Sequence, residues 1–211
     1  MLHYKSQMSI ILEDIQQAAV LKKYKEDDFY LTEFIDFCRK IPPLYDVLFT
    51  SKLVSNQLKA DLNNSINTIN DVYQIDKTEG VFELVEKEIK KNGLQNCRKN
   101  KKSAVIGLLW LSRALRFMCG FMKRVVETDE ETSSCAYQTY VKTLKPYHGW
   151  LTSKAVGVTM RFTPTKEELK KNFGLENFEQ EMTDFLSAMD NVEQQIRRFI
   201  LKMKMDFPDT V

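Results

Sequence analysis

The chain has 211 residues, 43% of them hydrophobic and 28% charged, which excludes disorder and places it among ordinary globular proteins. Its 31 Lys and Arg against 29 Asp and Glu leave a net charge of +2, without the strongly basic footprint of a dedicated nucleic-acid-binding protein. Seven glycines and five prolines are few for this length, so turns are scarce and long helices are expected. The N-terminal residues lack the pattern of a secretion signal, and the most apolar run, Ala104 to Leu111, is far short of a membrane span. One cytoplasmic domain over residues 1–211 is the expectation. Cys38, Cys97, Cys119 and Cys135 show no metal-ligand spacing and read as reduced, buried thiols, so neither metal nor cofactor is implied.

In chain order, Ile10, Ile11, Ile15, Ala18, Ala19 and Leu21 predict a first helix, and Tyr30, Phe34, Phe37 and Ile41 a second. Pro42 and Pro43 cannot donate backbone bonds and must break it, with a continuation through Tyr45, Leu48 and Phe49. Leu58, Leu62, Ile66, Ile69 and Tyr73 mark a third helix, and Val81 to Lys90 a shorter one ended by Asn92-Gly93. A basic run from Lys90 to Lys102, read as a solvated linker first and as a surface for anionic membranes second, leads into a helix from about Ser103 to Glu127, apolar around most of its circumference like a central core helix. The acidic groups Glu26 to Asp28 and Asp129 to Glu131 read as solvated loops. A long segment from Ser133 to Phe162 is interrupted by Pro146. Thr163-Pro164-Thr165 with Glu168 signals a capping box, and Leu175 to Met205 a last long helix. The fold class is all-α, helix packed on helix.

Several residues stand out chemically. Asp61, Ser65 and Thr68 recur at i, i+4 and i+7 beside an apolar stripe, which fits a pocket wall, a solvated strip, or an N-cap at Asp61. Trp110, Ala114, Phe117 and Phe121 form an aromatic stripe that fits core packing, or sugar stacking at Trp110 if a cavity adjoins it. Arg113 lies on the Trp110 side and fits a solvated flank or a contact with that pocket. His148 sits on the stripe Tyr137, Val141, Leu144, His148, Leu151, Ala155, where it must find a hydrogen-bond partner, in the core or on a ligand. Trp150 points to the opposite side, beside Lys154, as a membrane-facing or partner-facing residue would. No nucleophile elbow, P-loop, zinc helix or dinucleotide fingerprint is present, which lowers an enzymatic reading.

Together Pro42-Pro43-Leu44-Tyr45-Asp46, Lys59-Ala60-Asp61, the run from Leu108 to Phe117 and Tyr147-His148-Gly149-Trp150 resemble the glycolipid transfer protein family in order and spacing. The resemblance implies a two-layer all-α sandwich enclosing a hydrophobic lipid tunnel, no catalysis, and a monomer that moves a sphingolipid between membranes it touches transiently. It also implies roles: Asp61 and His148 bonding the ceramide amide, Trp110 stacking on the first sugar, and Trp150 with Lys154 docking on the membrane. Glycolipid-binding members carry Asn and Lys where this chain has Ser65 and Thr68, which with Arg113 become possible headgroup contacts. The ceramide-1-phosphate branch carries Arg at the positions of Ile106 and Trp110, so its phosphate clamp is missing here. A simple glycosylceramide is the expected ligand, a phosphorylated sphingolipid the alternative. A lipid-sensing helical interaction module is the rival of another class.

Overall fold

The computed structural model describes residues 6–209, the side chains of residues 150–152 excepted. The helices are α1 (Gln7–Ala18), α2 (Leu31–Arg39), α3 (Tyr45–Leu48), α4 (Lys52–Asp76), α5 (Val81–Asn92), α6 (Leu94–Lys99), α7 (Ala104–Glu127), α8 (Thr132–Thr143), α9 (Trp150–Thr159), α10 (Lys166–Phe173) and α11 (Phe178–Lys202). A short antiparallel hairpin, β1 (Lys23–Lys25) and β2 (Asp28–Phe29), joins α1 to α2. The all-α class and the long amphipathic helices are as the sequence predicts. The hairpin and the six-residue α6 are not, because elements this short leave no periodicity to read.

Helix ends follow their local chemistry. Ser6 and Ser103 accept from the amides of Ser9 and Val105, and Thr165 with Glu168 forms the anticipated capping box on α10. Gly174 closes α10 at φ 62°, the left-handed region that favours glycine. Pro42 and Pro43 open a 3-10 turn that redirects the chain into α3.

Asp28 corrects the solvated-loop expectation. It is 6% exposed, and its carboxylate accepts from the amides of Phe29 (2.8 Å), Phe82 (2.8 Å) and Glu83 (3.0 Å), capping α5 from another element. Gly80, the first residue before α5, lies against Asp28 and Tyr24 so closely that a Cβ would collide with both.

α7 is the central helix, packed along α4, α8 and α11, while α1 and α2 close the opposite layer against α11 and α4. By length and composition α7 could cross a membrane, against the expectation that no segment is long enough. With 67% of its most apolar window buried between neighbours, it is the core helix of the sandwich. All four cysteines are free and buried. Between the layers, Leu12, Leu44, Leu48, Met118, Met122, Phe173, Met182 and Phe185 line an apolar seam whose cavity measures only about 10 Å³.

Candidate functional site

The register of α4 against α7 places the predicted site residues. A Cβ on Gly107 would lie 2.9 Å from the Ser65 carbonyl, 3.0 Å from Ile69 Cγ1 and 3.3 Å from Thr68 Cβ, so the two helices nearly touch there. The Phe49 ring, just before α4, packs 6.2 Å from Phe121 near the end of α7. The helices therefore run antiparallel, and Trp110, one turn beyond Gly107, stands at the level of Asp61, one turn before Ser65.

Asp61 lies in the middle of α4, which removes the N-cap reading. It reaches the surface and accepts from Gln57 Nε2 at 2.9 Å, yet partial burial raises its pKa above the usual carboxylate value, with the Gln57 bond opposing. The Ser65 and Thr68 hydroxyls donate along their own helix, to the carbonyls of Asp61 (3.1 Å) and Asn64 (2.8 Å). Both sit half-buried at the close crossing with Gly107.

His148 is not on a continuous helix. Pro146 tightens residues 145–147 into a 3-10 turn, His148 and Gly149 are extended, and α9 starts only after them, so the expected stripe is cut in two. Its α8 half is not a core face either, since Tyr137 is 45% exposed and Val141 36%. This break turns the imidazole inward. Nδ1 lies 3.0 Å from the hydroxyl of fully buried Tyr140, and the ring is near-parallel to Trp110 at 6.1 Å and 20°. Burial, reinforced by the Arg113 charge, lowers the His148 pKa and keeps the ring neutral at pH 7. Burial also raises the Tyr140 pKa, so the phenol holds its proton, and either partner can donate in this bond. In the tautomer in which Tyr140 donates to Nδ1, the imidazole proton sits on Nε2, available to an acceptor.

Arg113 overturns its solvated-flank reading, being 3% exposed. Its guanidinium lies 3.3 Å above the centre of the Tyr147 ring and 4.9 Å from that of Trp110. Nη2 donates to the Phe207 carbonyl (2.6 Å) and to Asp206 (3.1 Å), while Nε is buried without a partner among the described residues. Tyr147 also donates to Asp206, at 3.3 Å. Residues 206–209 therefore strap the end of the chain across the site, and Asp209 continues the strap to Arg98 with two bonds of 2.6 Å. Tyr140, Asp206 and Phe207 carry no signal in the sequence, because only the break at Pro146 and the turn after α11 bring them here. Trp150 begins α9, but the expected outward direction of its side chain falls outside the described residues. Lys154 is exposed on α9.

One turn along α7, a groove of about 310 Å³ opens between α7, the end of α8 and α11, with Arg116, Thr143, Ser187 and Glu193 in its wall. Cys119 and Leu186 line both this groove and the apolar seam between the layers.

Comparison with known proteins identifies the family and the fold. Residues 29–175 match the family model of the glycolipid transfer protein. The chain belongs to the glycolipid transfer protein family. Its members are lipid transfer proteins, not enzymes. The human putative protein PLEKHA9 is 30% identical over 144 residues, 68% of this chain but 36% of that protein, so the chain spans about a third of that relative's length. A fungal glycolipid transfer protein, HET-C2, superposes with a TM-score of 0.79 at 20% identity, covering 93% of this chain and 100% of that one. Human ceramide-1-phosphate transfer protein bound to 2:0 ceramide-1-phosphate gives 0.78 at 17%, covering 97% and 99%. Such identities establish the shared fold, and the chain resembles sugar-type and phosphate-type members alike.

Proposed function

We propose that this chain is a single-domain carrier that takes a sphingolipid, a simple glycosylceramide, from one membrane and delivers it to another. The observation that carries the reading is the convergence of a neutral His148, oriented by Tyr140, with Trp110 at the level of Asp61. An amide group offers both a donor and an acceptor. Asp61 accepts its N–H and the Nε2–H of His148 donates to its carbonyl, which removes the few-kcal/mol penalty of leaving a buried amide unpaired. The half-buried face of Trp110 offers sugar C–H groups a stacking surface.

The hydrocarbon chains go to the apolar seam. At about 10 Å³ it must part to admit them, and the unbranched side chains of Met118, Met122 and Met182 adapt to such a change. Each buried CH₂ then contributes about 0.8 kcal/mol that water would withhold. Contact with the bilayer falls to the face of α8, α9 and the turn after α9, where Tyr137, Val141, Val158 and Phe162 stay exposed.

Sugar is preferred over phosphate because Ile106 and Trp110 occupy the positions of the phosphate clamp and Arg113 is committed to the strap. One observation favours the phosphorylated alternative: the buried Arg113 Nε, without a partner among the described residues, is a donor that an anionic oxygen would satisfy. A vesicle-to-vesicle transfer assay with glucosylceramide, galactosylceramide, ceramide-1-phosphate and sphingomyelin decides. Transfer of the first two, abolished by Asp61→Val in a protein of unchanged helicity, is the expected result. Movement of ceramide-1-phosphate alone transfers the assignment to phosphate. If nothing moves and no lipid copurifies, the carrier reading fails and the interaction module replaces it.

A further inference from the structure

The near-neutral charge of the whole chain conceals a strong asymmetry. Residues 89–102 carry six Lys and Arg and no acidic residue, which leaves 25 Lys and Arg against 29 Asp and Glu elsewhere, a net −4. These residues are not the linker the sequence suggests. They form the end of α5, all of α6 and the turn into α7, a rigid corner anchored by buried Cys97 and by Glu88, which accepts from Ser103 Oγ at 2.9 Å. Arg98 is taken by Asp209. Lys90, Lys91, Lys99, Lys101 and Lys102 are exposed and make no ion pair among the described residues.

The corner is close to the candidate site. Arg98 holds Asp209, and Arg113 holds Asp206 and the Phe207 carbonyl, so three residues of strap, at most about 10 Å of chain, separate the two. Arg98 also lies over the Phe207 ring. A corner of five free ammonium groups beside the site, on a body otherwise net negative, gives the molecule a charge dipole that orients it in an external field.

We propose that the α5–α6 corner is an electrostatic docking surface for an anionic bilayer, such as one containing phosphatidylserine, and that it turns the candidate site toward that bilayer. The choice of a membrane as partner rests on the carrier reading above; the chemistry recognised is the negative surface of the lipid headgroups. A lysine near such a surface contributes about fivefold in binding, so two together contribute about 25-fold, and the attraction fades with salt.

The test measures cosedimentation of the full chain with vesicles of phosphatidylcholine alone and with phosphatidylserine added. Lys101→Glu/Lys102→Glu is expected to lose at least about 20-fold of the phosphatidylserine-dependent binding. Lys123→Glu/Lys171→Glu makes the same charge change on α7's far end and on α10 and is expected to bind as the parent does. Equal losses in both pairs, or a parent that ignores phosphatidylserine, overturn the proposal. So does a parent that ignores phosphatidylserine and is retained by polyuridylate, which assigns the corner to nucleic acid. Sphingolipid transfer measured on the same vesicles separates this proposal from the reading beneath it. If phosphatidylserine-dependent binding needs Lys101 and Lys102 but no lipid moves, docking stands and the carrier reading falls. If lipid moves and the lysine pair is irrelevant to both binding and transfer, the reverse holds.

Discussion

Asp28 and Arg113 are both charged, both buried to within a few percent, and both tied to segments far away in sequence, yet they are finished to different degrees. The Asp28 carboxylate takes three backbone amides and lies against a glycine that leaves no room for anything else. Arg113 has one nitrogen bonded twice, two aromatic faces around its plane, and a buried Nε with no partner among the described residues. A closed set of bonds serves the fold. An open donor in a cluster of aromatic rings fits the binding role proposed above, since a buried polar group left unmade is costly until something pairs it. Arg124 Nε, near the far end of α7, is also buried without a partner among the described residues, so the open donor points to a site only together with the aromatic rings around Arg113.

The comparison breaks first at Asp28. Asp28→Ala strips three amides of their acceptor and removes the cap from α5, so a loss of about 3 kcal/mol is expected, or about 6–12 °C in melting temperature for a domain of this size. Lipid transfer measured well below that lowered melting point should be retained. A stable Asp28→Ala protein would show that buried charge and closed bonding are not enough to mark scaffold here.

Arg113→Met should show the reverse pattern. It keeps the bulk between Tyr147 and Trp110 and removes the strap's bonds to Phe207 and Asp206. Asp206 is 38% exposed at its side chain and rehydrates, so the stability loss is expected to stay at about 1–2 kcal/mol. Ligand transfer should fall further than stability does, because Trp110 and Tyr147 lose the cation that holds their planes. A variant that melts like Asp28→Ala and transfers lipid normally would move Arg113 to the scaffold side.

The same contrast explains which features were legible in the sequence. The long helices were readable because burying one face imposes a 3.6-residue period, and the α10 capping box because its four residues are local. Asp28 was not, since its partners lie 54 and 55 residues away and its neighbours Glu26 and Asp27 give it the look of a solvated acidic loop. Asp61, Trp110 and His148 were singled out by residue type and by family resemblance. What spacing alone misplaced was the backbone at His148: Pro146 and Gly149 were visible, but continuing the apolar stripe across them put His148 on a helix it does not join. Tyr140 and the 206–209 strap follow from that break and from the turn after α11, which have no periodic signature.

The smallest expected effect tests the site through its one group that titrates near neutrality. In the fold, burial and the Arg113 charge place the His148 pKa below its ordinary value of about 6.5, whereas the unfolded chain keeps that value. Between the two values the unfolded state binds the extra proton and the native state does not, so stability falls as pH drops through about 6.5 and levels off below the native pKa. Melting curves of the parent and of His148→Gln, from neutral pH to about pH 5, isolate the contribution, because glutamine does not titrate and every other group is common to both. The parent should lose more than His148→Gln over that window, with its transfer activity declining in parallel. Identical pH profiles would mean that burial and the Arg113 charge do not hold the His148 pKa below its ordinary value, and the neutral imidazole on which the amide contact rests would lose its physical basis.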